Sequence, residues 1–183
     1  MENQTTTPTL INDTVKHGGI LGIISIALTL VFYVVDYALL ADWKVGLISF
    51  AIFIGYAIYA GIGYRKEIGG FLSFGKAFQH GFLIFAISAL ISTVFSILLY
   101  TVIDPELPAK VTEVAVENAE KMMEGFGMSG DALDEAMAKT RKDTEERYTV
   151  AGLAMGYVWA LIGCAVFALI TGAIVKKKEP EVI

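Results

Sequence analysis

The chain has 183 residues, 55% of them hydrophobic, with a mean hydropathy of +0.62 and a formal net charge of −5. A composition this apolar lies above that of a soluble domain and points to the membrane. The lone cysteine, Cys164, excludes an internal disulfide and a cysteine metal site. With neither a glycine-rich phosphate loop nor a His-Glu-x-x-His motif, no cofactor and no metal is expected.

Residues 1–17 form a polar N-terminal tail with one base, Lys16. It is too long and too uncharged for the n-region of a signal peptide, and no small-residue cleavage site follows, so the next run reads as an uncleaved first helix. That run covers about 18–40, enough for the roughly 20 residues a bilayer span needs. Gly18 and Gly22, four apart, admit a close neighbouring helix. Asp36 is the one acid within an apolar run and is the candidate intramembrane ionisable group. It stands about one turn before Leu40, which also suits a solvated or paired position at the interface. Ala41 to Lys44 makes a tight turn with Trp43 as interface anchor, so the first two helices form an antiparallel hairpin. The second run covers about 45–64. Tyr56, Tyr59 and Tyr64 gather towards its exit as an aromatic belt, and Arg65-Lys66 closes it.

The stretch from Gly69 to Gly81, Gly-Gly-Phe-Leu-Ser-Phe-Gly-Lys-Ala-Phe-Gln-His-Gly, then crowds glycines, aromatics, a lysine and a histidine together. Gly69-Gly70 break the arriving helix and Ser73 suits an N-cap. Phe74, Phe78 and Phe82 share a stripe, with Lys76 and His80 away from its centre. Ser73, Phe74, Lys76, Phe78 and His80 are the candidate interfacial or partner site. They read as an anchor with Lys76 reaching the lipid phosphates, or as a site for an anionic headgroup or a partner. The run G-G-x-L-S-F-G-K-A-F-x-x-G between a second and a third membrane helix resembles the domain of unknown function 4199 family, small bacterial membrane proteins. The likeness extends over about Thr14 to Lys178. It implies four membrane helices, a long charged loop after the third and a basic end. It brings no established activity, substrate or cofactor.

The third run covers about 77–103, with Ser88, Ser92 and Ser96 on one face. Asp104-Pro105 ends it. Residues 104–149 then carry twelve acids and six bases, net −6, in two helical patterns that join near Gly125 to Gly130. This predicts an acidic extramembrane helical hairpin, with Ser129 or Asp131 capping its second arm. The fourth run, about 150–175, repeats small residues every fourth position. Gly152, Gly156, Ala160 and Gly172 are the expected packing ridge, set against the third helix through Gly81, Ser88 and Ser92. Residues 176–183 are a basic C-terminal tail.

The fold class expected is therefore all-α: four transmembrane helices (18–40, 45–64, 77–103, 150–175) with the hairpin between the third and fourth. An even number of spans puts both termini on one side together with residues 65–81. Bases tie at seven on each side, and weighting short loops places the termini in the cytoplasm and 104–149 in the periplasm of a bacterial inner membrane. His17 and His80, the only histidines, have no carboxylate constellation in sequence, so no enzyme is expected and no catalytic residue is assigned. The leading class is an accessory, scaffold or interaction protein. The alternative is a small oligomeric transporter or channel using Asp36 or His80. Partners expected are the lipid bilayer and either a protein or a second copy through 105–149. The acidic soluble part excludes nucleic acid.

Overall fold

A computed structural model describes residues 8–179. Among them are six α-helices: α1 (Leu10–Val35), α2 (Trp43–Glu67), α3 (Phe74–Leu98), α4 (Leu107–Gly125), α5 (Asp131–Arg147) and α6 (Val150–Val175). A short 3-10 segment, Tyr37–Ala41, follows α1, and a π segment, Leu99–Ile103, continues α3. Four helices are long and apolar enough to cross a membrane: α1, α2, α3 with its π extension, and α6. The shortest of them, 25 residues, measures about 38 Å, against about 30 Å of hydrocarbon.

Helix α1 begins eight residues before the expected 18, inside the segment read as a polar tail. Thr9 makes the start. Its Oγ1 accepts from the Asn12 amide at 3.3 Å and its carbonyl from the Asp13 amide at 3.1 Å. The helix also stops earlier, at Val35 rather than 40. Asp36 takes extended backbone and accepts from the Ala38 amide at 2.9 Å, capping the 3-10 segment. Asp42 accepts from the Lys44 amide at 2.7 Å at the start of α2, so two aspartates make the turn between α1 and α2. The end of α2 is set by Gly69 and Gly70, both at positive φ (102° and 88°), with the Gly70 amide reaching back to the Arg65 carbonyl at 2.8 Å. That is a glycine-terminated helix end, and a side chain would strain it.

The chain divides into two compact units. Among the described residues, one comprises 8–25, 49–92 and 159–179. Its core joins Leu21, Ala57, Ala60, Ile84, Phe85 and Cys164, and a second cluster joins Tyr64, Leu72, Ala77 and Val175. Glycines let the backbones approach. A Cβ on Gly18 would stand 2.8 Å from Ile87, and one on Gly22 the same distance from Ile91, so α1 lies against α3. Gly61 faces Val175 of α6 in the same way. Ser92 donates to Ser25 at 2.7 Å, so this serine binds α1 and not α6 as expected.

The other unit comprises Ile26–Ile48 and Thr93–Val158. Leu99, Leu107 and Val111 are its buried centre, covered by Tyr33, Leu40, Ala41, Phe95, Tyr100 and Tyr148. Asp104 makes the turn into α4, its Oδ1 accepting from the amides of Glu106 and Leu107 at 3.1 Å each, while Tyr33 donates to Oδ2 at 3.2 Å. Neither Ser129 nor Asp131 caps α5. Gly130 holds that position at φ 63° without a side-chain bond.

Candidate functional site

The expected packing ridge on α6 divides. Gly172 is buried, and a Cβ there would come within 3.0 Å of the Phe78 backbone; Gly81 of α3 faces Thr171 and Ala168. Gly156 and Ala160 are exposed, and nothing lies within 4 Å of where a Cβ on Gly156 would stand. A row spaced by four drifts about 40° per step, hence roughly 200° from residue 152 to 172, so one partner cannot meet all of it. Gly152 sits instead against the backbone of Glu146 and Arg147 just before its own helix.

The expected interfacial set divides too. Ser73, Phe74 and Lys76 are exposed and Phe78 is half-buried. His80 is 1% exposed, so it is no surface ligand. Its Nε2 lies 2.6 Å from Asp13 Oδ2, and Asp13 is itself buried. A carboxylate only accepts, so the imidazole donates in this bond. Tyr64 of α2 stacks on the His80 ring at 4.9 Å between centroids and 14° between planes. On the other side of Asp13, His17 Nε2 stands 3.7 Å from Oδ1, one helical turn on. His17 Nδ1 is 2.8 Å from the Tyr56 hydroxyl. The result is a chain of polar groups, Tyr56, His17, Asp13 and His80, drawn from α2, α1 and α3.

An unpaired carboxyl or imidazole is costly to bury among apolar helices. Here each is the other's hydrogen-bond partner. Asp36 takes no part. It is an exposed cap just beyond the end of α1. The signal for Asp13 was present in sequence: Thr9 with Asn12 reads as a helix start, and Asp13 to His17 is an i, i+4 step. Starting the helix at the apolar run leaves Asp13 in the tail and hides this signal.

A second group of side chains gathers beyond the ends of α2 and α6. Leu72 and Lys177 exchange both backbone hydrogen bonds at 2.9 Å. Arg65 donates to the last carbonyl of α6, Val175, at 2.7 Å. Lys176 Nζ lies 5.7 Å from the Phe74 ring centre and Lys177 Nζ 5.5 Å from that of Phe71.

In the other unit, Arg141 of α5 forks onto Glu113 of α4, with Nη2 to Oε2 at 2.8 Å. The guanidinium bond holds the Glu113 carboxyl below the usual carboxylate value. At the junction of the two helices Phe126 is 84% exposed, with Met122 and Met128 exposed beside it.

A family model described as "Protein of unknown function (DUF4199)" matches residues 16–177. The chain belongs to the DUF4199 family. The resemblance carried by the Gly69–Gly81 stretch is thereby shown, and with it a multi-pass membrane protein of a family without an assigned function. No curated protein and no solved structure matches the chain. The matched span takes in His17, Tyr56, Tyr64, His80 and Lys177, while Asp13 precedes it.

Proposed function

We propose that this DUF4199 protein is a non-enzymatic interaction protein of the bacterial inner membrane. In this reading, residues 104–149 are an extramembrane helical hairpin in the periplasm that docks another protein, and both termini are cytoplasmic. The observation that carries it is Phe126. An ordered pair of helices, tied by Glu113–Arg141 and seated on Leu107 and Val111, offers a phenylalanine that is 84% exposed, flanked by two exposed methionines. Such an adaptable apolar tip on an otherwise charged segment suits recognition. With twelve acids against six bases around it, the complementary surface is basic with an apolar centre; a second copy would bring like charge to like charge. A photo-crosslinker at Met128 in native membranes should give one discrete heterologous adduct, lost with Phe126→Ser and weakened by salt. An adduct of twice the chain's own mass, or one indifferent to Phe126→Ser, would sink the reading.

The Asp13–His80 pair favours a second reading, a small proton-coupled transporter. Its measurement is proton flux in proteoliposomes. Flux in the parent protein that disappears with both Asp13→Asn and His80→Gln would displace the first reading.

A further inference from the structure

We infer that the two segments beyond the ends of α2 and α6 form a binding site for an anionic phospholipid headgroup, with Lys176 and Lys177 as its cationic arms. In sequence the tri-lysine is a loose basic tail, just over a hundred residues from the Phe71–Phe74 stretch. The structure joins them. The two hydrogen bonds between Leu72 and Lys177 make a one-rung antiparallel bridge, so the backbone of the tail is held at this point. Arg65 holds the chain two residues earlier by donating to the Val175 carbonyl. Leu72 and Val175 are buried beneath, in a cluster with Tyr64 and Ala77. The lysines that leave this anchored backbone are exposed, and each ammonium stands over an aromatic ring, Lys176 over Phe74 and Lys177 over Phe71.

The charge of the assembled site differs from that of the chain. Residues 65–81 and 176–179 contribute six bases (Arg65, Lys66, Lys76, Lys176, Lys177, Lys178) and two acids (Glu67, Glu179), net +4, within a chain of net −5. These residues flank helices that cross the bilayer. Phenylalanines at this level sit in the acyl–headgroup boundary, and lysine amines above the rings reach the phosphate layer. A cation resting on an aromatic face is also partly relieved of water before its anion arrives. Both features suit a lipid phosphate at the membrane surface more than a phosphate in free solution. The lipid is therefore a glycerophospholipid of net negative charge. The inference does not depend on the hairpin docking a partner, nor on which face of the membrane this end occupies.

The test uses the full chain purified in mild detergent. Native mass spectrometry counts bound dioleoylphosphatidylglycerol, dioleoylphosphatidylcholine of the same acyl length, and either lipid in the presence of inorganic phosphate. Phosphatidylglycerol should bind more tightly than phosphatidylcholine, and inorganic phosphate should not displace it. Lys176→Gln with Lys177→Gln should weaken phosphatidylglycerol binding about tenfold or more while leaving phosphatidylcholine unchanged. Lys176→Arg with Lys177→Arg should restore the preference, since arginine keeps charge and stacks on the same rings. Both lysines are exposed, and circular dichroism of each variant should match the parent. Equal binding of the two lipids, an unchanged preference in the glutamine variant, or displacement by inorganic phosphate would each overturn the inference.

Discussion

His80 and Asp13 stand 67 residues apart in the chain and 2.6 Å apart in the fold, both buried among apolar helices. Their bond ties the first turn of α1 to α3, and the Tyr64 ring of α2 covers it. Polar association of this kind holds membrane helices together where burial from water gives no net drive.

Removing one partner should cost more than removing both. His80→Leu leaves the Asp13 carboxyl buried without its short bond, and should destabilise the protein by about 1–3 kcal/mol. Asp13→Asn keeps an acceptor oxygen and should cost less. The double change of Asp13 and His80 to leucine should be milder than His80→Leu alone, because no unpaired group remains. Thermal unfolding in detergent ranks the three. A His80→Leu protein as stable as the parent would show that the pair contributes nothing to the fold.

The glycine contacts make a contrast within one helix. Gly172→Leu drives a side chain into the Phe78 backbone, which cannot step aside. Overpacking of this sort costs about 1–3 kcal/mol or more. Gly156→Leu meets open space and should leave the monomer's stability unchanged. Equal damage from both would mean that Gly156 faces another chain.

Hydrogen exchange in detergent reads the order of α4 and α5. Amides across 107–124 and 132–146 should be protected, with fast exchange at 125–130, where Gly127 and Gly130 take positive φ. Uniformly fast exchange would remove the scaffold on which Phe126 is displayed.

The Glu113–Arg141 bond gives that protection a pH dependence. Arg141 lowers the Glu113 carboxyl from its ordinary 4.5. A depressed folded-state value means a contribution present above the ordinary value and lost as pH falls through the lowered one. Protection in α4 and α5 should therefore fall in acid below that point, modestly because the pair is exposed. Arg141→Gln should remove this acid-dependent part while leaving the Leu107 and Val111 core in place. An identical acid profile in both proteins would show that other carboxyls dominate.

Much of this was legible in the residues. Four apolar runs long enough to span a bilayer announce four membrane helices, because composition and length alone decide that a helix can cross. The break at Gly69-Gly70 and the extent of α6, Val150–Val175, were also local matters. Local capping moved the other boundaries. Thr9 carries α1 back through Asp13, and Asp36 ends it at Val35, so the acid that looked intramembrane is a cap and the one that looked like tail is buried.

Composition and hydropathy settle the class of protein: a membrane chain of four helices long and apolar enough to span a bilayer, with an acidic segment between the third and fourth and a basic end. Which side chains meet depends on how the helices pack. No spacing rule links Asp13 to His80, Ser92 to Ser25 or Leu72 to Lys177, because each contact joins different helices or loops whose rotation about their axes is invisible in a run of apolar residues. A helix surrounded by lipid and helices is apolar nearly all round, so it lacks the one-sided pattern that would reveal its inner face. The small-residue row on α6 shows the consequence. Its regularity was plain, yet only packing selected Gly172 for contact and left Gly156 open.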